Sequence, residues 1–115
     1  MEVVADMGGK AVFLRSADTD NHHDLGLFSL GDGAPGPERG RVGLYHLAWQ
    51  VATIDELAAL RTDLLERGAL VGESDHGVSK SLYAVDPDGN EFEVMWKVPA
   101  EAWTPGDDTA VRPLA

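Results

Sequence analysis

The chain contains no cysteine. Disulfides, thiolate zinc sites and iron–sulfur clusters are thereby excluded, and any metal has to be held by His, Asp or Glu. Positive charge is scarce: nine Lys and Arg stand against twenty Asp and Glu, a formal net charge of −11. That balance argues against nucleic acid and anionic membrane as partners, because both demand a basic face. Its plain physical meaning is solubility. Long hydrophobic runs are also missing. Glu2, Asp6, Lys10 and Arg15 break up the N-terminal segment, so no secretory leader is expected there. No stretch approaches the roughly 20 apolar residues of a membrane span, and the expected location is the cytoplasm. The length of 115 residues suits one domain.

What is present reads mostly as strands. Residues 2–6 and 10–15 are β-rich, and Gly8-Gly9 between them can supply the positive φ of a tight hairpin. Residues 23–30 form a third apolar-rich run. Residues 31–41 carry Gly31, Gly33, Pro35, Gly36, Pro37 and Gly40, which marks a connector between two halves. Residues 42–51 alternate as a strand. Thr53-Ile54-Asp55-Glu56 has the capping-box pattern, with Thr53 as N-cap. Ile54, Leu57, Ala58, Leu64 and Leu65 follow as a helical stripe, and Gly68 can close the helix in a left-handed conformation. Residues 69–73, 80–86 and 91–97 complete the strands, with Pro87-Asp88-Gly89-Asn90 as a turn. The tail from residue 99 is expected to pack loosely. The order is β-β-β, connector, β-α-β-β-β. Aligning Asn21 with Asn90 suggests a repeated unit and sets Asp24 opposite Glu93.

The chemistry-bearing residues are four histidines, at 22, 23, 46 and 76, together with Glu93. A lone strand histidine such as His46 is more often a packing residue than a ligand, and Tyr83 alone would be core. Glu93 changes the balance. Phe92, Val94 and Trp96 occupy one face of the closing strand and should pack under the helix, which puts Glu93 mid-strand on the other face. A buried carboxylate there needs a partner, and a metal shared with His46 is one.

The segment Asp75-His76-Gly77-Val78, then Ser81-Leu82-Tyr83-Ala84-Val85-Asp86-Pro87-Asp88-Gly89-Asn90-Glu91-Phe92-Glu93, is similar to the C-terminal signature of extradiol dioxygenases. Gly43-Leu44-Tyr45-His46-Leu47-Ala48-Trp49 resembles their strand with a metal histidine, and His22-His23-Asp24-Leu25 their strand with a histidine near bound oxygen. The chain therefore resembles the vicinal-oxygen-chelate superfamily of glyoxalases, bleomycin-resistance proteins and dioxygenases, nearest the catechol 2,3-dioxygenase-like branch. The resemblance implies an α+β fold of paired βαβββ modules that curl a mixed sheet around a metal or ligand cavity. Residues 1–98 would form the domain: 1–30 a partial first module without its opening strand and helix, 31–41 the connector, 42–98 the second module, and 99–115 the tail.

The resemblance further implies metal ligation by His46 and Glu93, with a third ligand absent from this chain and Asp24 a weaker candidate. Adjacent strand residues face opposite ways, so His23 and Asp24 compete for the cavity, and His23 is preferred. His76, Tyr83 and His23 would be catalytic; Leu44, Ala48, Leu82 and Met95 would line the substrate. Fe(II) is the expected metal, with Mn, Zn or Ni as alternatives in a site of His and carboxylate donors. The expected activity is oxidative ring cleavage of a catechol-type aromatic, as in aromatic compound catabolism. The alternatives are a glyoxalase-like lyase or isomerase, or a metal-free ligand-binding protein of the bleomycin-resistance kind. An unpaired sheet edge favours a homodimer.

Overall fold

The computed structural model describes residues 1–106 and 112–114. It divides into two compact units, Met1–Pro35 and Gly36–Ala115, with the boundary inside the connector.

The first unit is an antiparallel meander of β1 (Glu2–Asp6), β2 (Ala11–Arg15) and β3 (Leu25–Phe28). The Gly8-Gly9 pair takes positive φ as expected. Gly26 stands across from Phe13, and a Cβ there would come within 3.2 Å of the Phe13 ring, so glycine lets the aromatic lie over the strand. Strand β3 begins at Leu25 rather than at residue 23. The Asp24 carboxylate accepts from the Ser16 amide at 2.9 Å and from Asn21 Nδ2 at 2.9 Å, and these local bonds hold the chain in a turn instead of a ladder. His22 and His23 therefore lie in an exposed loop.

The second unit is a four-stranded mixed sheet, ordered β4-β7-β6-β5, with one helix. Its strands are β4 (Leu47–Val51), β5 (Leu70–Asp75), β6 (Ser79–Val85) and β7 (Glu91–Lys97), and α1 spans Ile54–Glu66. The chain thus has the α+β class and a βαβββ second half, arranged as two sheets rather than one. The expected strand over residues 42–51 is shorter. Its parallel partner β7 starts at Glu91, and Leu47 already stands across from Phe92. Residues before His46 have no backbone left to pair with, and His46 sits just ahead of the strand rather than within it.

Thr53 caps α1 through the full reciprocal capping box. At the other end the Gly68 amide bonds Leu65 O and the Ala69 amide bonds Leu64 O, which is the Schellman pattern; Gly68 has φ +68°. The helix buries Leu57 and Leu64 against Leu82, Ala84 and Val94, with Leu60, Phe92 and Trp96 packed alongside. Ile54 and Leu65, placed in the stripe from sequence, are exposed, and Leu60 takes the core position instead. Leu82, expected to line the substrate, is 1% exposed in this core. It stands across from Val94, so it faces the helix, opposite to Glu93. The tail also departs from expectation: Leu114 packs against the core, and Arg112 bridges to Asp75 through two backbone bonds. Among the described residues no helix is long and apolar enough to cross a membrane.

Candidate functional site

The face of the second unit's sheet away from α1 carries the chemistry. Alternation along β7 puts Glu91, Glu93 and Met95 there. Cross-strand partners share a face, so Ala48 and Tyr83, both opposite Glu93, join them. His46, two residues before Ala48, comes to the same side.

His46 Nε2 lies 3.1 Å from Glu93 Oε2. Glu93 is 9% exposed, so this contact compensates a buried carboxylate. His46 Nδ1 is buried without a hydrogen-bond partner, and Glu91 Oε1 stands 3.8 Å from it. A divalent metal implied by the family can be tested against this donor set. Two ligands on adjacent octahedral corners, with bonds of about 2.1 Å, are about 3.0 Å apart. The His46–Glu93 spacing fits two such corners, and one imidazole with one carboxylate suits Fe(II) or Mn(II). Among the described residues no group of three His, Asp or Glu side chains gathers around a metal position.

Beyond the pair, His76 Nε2 sits between two hydroxyls, Tyr83 Oη at 2.8 Å and Ser74 Oγ at 2.7 Å. The Tyr83 ring centroid is 5.9 Å from that of His46. His76 follows β5 directly, and its turn is held firmly. The Asp75 carboxylate accepts from Lys80 Nζ and from the Gly77 amide. Those bonds, the lysine's first, hold its pKa below the usual carboxylate value. Behind the sheet, Arg61 of α1 bonds the Glu73 carboxylate and lowers its pKa in the same way.

The structure thus gathers His46, Glu93, Tyr83 and His76 in one unit. Ala48 and Met95 share their face, Leu44 lies exposed ahead of β4, and Leu82 is on the other side. His23 and Asp24 belong to the first unit. The His23 ring meets Phe13 edge-on at 4.7 Å, and its Nδ1 is 2.9 Å from His22 Nδ1. Both Asp24 oxygens serve the turn, and those hydrogen bonds, Asn21's first, lower its pKa. A pocket of about 440 Å³ opens beside the pair, lined by Arg39, Tyr45, His46, Val71, Gly72, Tyr83 and Glu91. Glu91 could have been found from its two-residue spacing to Glu93. Arg39, in a connector without periodicity, gave no such signal.

The sequence is 42% identical over 67 residues to a catechol-2,3-dioxygenase of Bacillus subtilis (strain 168), a match covering 58% of this chain. It is 36% identical over 78 residues to biphenyl-2,3-diol 1,2-dioxygenase 3 of Rhodococcus globerulus, covering 66% of this chain. The chain spans 24% and 41% of those two proteins. Among solved structures, a lactoylglutathione lyase from Agrobacterium tumefaciens superposes with a TM-score of 0.56 at 25% identity, covering 83% of this chain and 74% of that one. A glyoxylase/bleomycin resistance protein/dioxygenase domain from Frankia sp. EAN1pec gives 0.53 at 25% identity, covering 61% and 53%. The sequence model of one family matches residues 1–94, and the chain belongs to that family, the Glyoxalase/Bleomycin resistance protein/Dioxygenase superfamily.

Proposed function

We propose that this chain is an extradiol dioxygenase-like protein acting on a catechol-type aromatic with O₂. The observation that carries the reading is the His46–Glu93 pair at 3.1 Å, on the sheet face that also bears Tyr83, whose hydroxyl meets His76. The two dioxygenase relatives support it.

His46 Nε2 and the Glu93 carboxylate would hold the metal, Fe(II) in this reading. When bound, such a metal supplies Lewis acidity and electron transfer toward O₂. Tyr83 and His76 would hydrogen-bond the substrate's phenolic oxygens and stabilise the negative charge that develops on them. His76 Nε2, as the unprotonated ring nitrogen, could accept the proton that a catechol hydroxyl releases, with the Tyr83 hydroxyl hydrogen-bonded to it. Ala48 and Met95, on the same face, would bound the ring. His23 enters as an acid/base group from the family resemblance alone. A homodimer remains part of the proposal.

The test is anaerobic reconstitution with Fe(II), desalting, and measurement of bound iron, oxygen uptake and ring-cleavage absorbance over a panel of catechols, beside His46→Ala and Glu93→Ala. Near-stoichiometric iron with turnover, both lost in the variants, is expected. Iron retained equally by the variants would overturn the ligand assignment, and bound iron without turnover would overturn the dioxygenase reading. A second reading, a glyoxalase-like metal-dependent lyase or isomerase, draws on the lactoylglutathione lyase neighbour. Turnover of a glutathione hemithioacetal in place of catechols would favour it.

A further inference from the structure

The chain has six arginines, and five of them pair with a carboxylate: Arg15 with Glu2, Arg41 with Glu38, Arg61 with Glu73, Arg67 with Asp63 and Arg112 with Asp75. Arg39 is the exception. Among the described residues no carboxylate comes within 4.0 Å of it, in a chain that carries twenty. Arg39 is also the one lysine or arginine among the residues that line the pocket beside His46.

Its place is set by contacts. A Cβ on Gly36 would lie 3.1 Å from Asp88 O, and one on Gly89 would lie 3.7 Å from Pro37 Cδ. The connector is therefore pressed against the turn that leads into β7, and Arg39 is carried to the mouth of the site. The rest of the pocket is suited to a planar ring. Tyr45 and His46 have centroids 4.9 Å apart, and Tyr83 follows at 5.9 Å. A volume of about 440 Å³ lies in the range of single small-molecule sites. Glu91 also lines the pocket, with its Oε1 3.8 Å from His46 Nδ1.

We infer that Arg39 is an anion-recognition residue of this pocket and that the ligand is a small aromatic bearing a carboxylate. A guanidinium offers a planar fork that matches a carboxylate with two parallel hydrogen bonds. With a net charge of −11, the chain as a whole repels anions, so discrimination in favour of one has to come from a local cation that no described carboxylate pairs. The inference rests on the proposed catechol-type site and narrows its substrate class. Arg39 is a specificity residue here, with no part in ring cleavage.

Binding of phenylacetate and phenylacetamide to the full chain, by calorimetry at low salt, tests the charge without any catechol chemistry. The wild type should bind the acid about tenfold more tightly than the amide, the scale of one charge-assisted hydrogen-bonding contact. Arg39→Gln should bring the two within about twofold and Arg39→Lys should fall between, since lysine keeps the charge without the fork. Arg39 is exposed, and an unchanged circular dichroism spectrum would check that the variants stay folded. The inference is overturned if the wild type shows no preference, if Arg39→Gln keeps it, or if neither ligand binds. Turnover of 3,4-dihydroxyphenylacetate and its amide separates the two readings. An acid preference through Arg39 without turnover keeps this inference and ends the dioxygenase reading; turnover indifferent to Arg39→Gln does the reverse.

Discussion

His46, just ahead of β4, reaches diagonally to Glu93 on the neighbouring parallel strand β7. Glu93 stands across from Ala48, two residues beyond His46, yet its carboxylate oxygen comes to 3.1 Å from His46 Nε2. The contact joins the approach to β4 to the middle of β7. In the metal-free protein, His46→Ala should lower the free energy of unfolding in urea at pH 7 by about 1–3 kcal/mol, because it strands a buried acceptor. The double variant His46→Ala/Glu93→Leu should recover much of that loss, since an apolar replacement leaves nothing unsatisfied. A double variant no better than the single would mean that Glu93 is satisfied by something other than His46.

The helix ends offer a second prediction. Thr53→Ala removes the side chain that accepts the Glu56 amide and should cost about 1 kcal/mol. Gly68→Ala forces a Cβ into φ +68° and should cost about 1–2 kcal/mol. Nothing lies within 4 Å of that Cβ, so the loss would be backbone strain alone. Equal stability of Gly68→Ala and wild type in urea melts would show that the helix can end another way.

These caps were legible in sequence because the Thr–x–x–Glu spacing and a glycine after a basic residue act within one turn. The β7 bounds and the helix-facing set Phe92, Val94 and Trp96 were legible for a similar reason: a period of two is local. Part of what escaped was set by a distant partner. The β4 start at Leu47 depends on where β7 begins, at Glu91. Leu82 is a different case: it neighbours Tyr83 in β6, so alternation alone sets it on the opposite face, where it pairs with Val94. The Asp24 turn escaped for the opposite reason: local side-chain bonds to Ser16 and Asn21 competed with the expected strand. Of the candidate site, His46, Glu93, His76 and Tyr83 could be named from the family signature, whereas Arg39 lies in a connector whose contacts only the folded chain displays.

Leu82 gives a prediction that follows from its corrected place. Leu82→Ala opens a cavity beneath α1 and should cost about 2–5 kcal/mol, while leaving ligand selectivity unchanged in whatever fraction stays folded. Met95→Ala, on the site face, should do the opposite: a small stability loss with an altered preference among ring substituents. Parallel urea melts and substrate panels on both variants check the pair. A selectivity change in Leu82→Ala would mean that the residue does reach the pocket.

Acid should weaken this protein through three named carboxylates. Asp24, Glu73 and Asp75 all have folded-state pKa values lowered by hydrogen bonds, from Asn21 and the Ser16 amide, from Arg61, and from Lys80 and the Gly77 amide respectively. In the unfolded chain they return toward their ordinary values, 3.8 for aspartate and 4.5 for glutamate. Below those values the unfolded state therefore binds more protons than the folded one, so stability rises with pH in that range. Their contribution is complete above about pH 5 and is lost as pH falls through the depressed folded values. Asp75 should dominate among them, because it ties the His76 turn, Lys80 and the C-terminal segment through Arg112 together. An acid titration followed by tryptophan fluorescence should thus show a steep loss below pH 4 in the wild type and a shallower one in Asp75→Asn, which starts less stable at pH 7. Parallel acid limbs in the two proteins would mean that the Asp75 bonds contribute nothing to the folded state's charge balance.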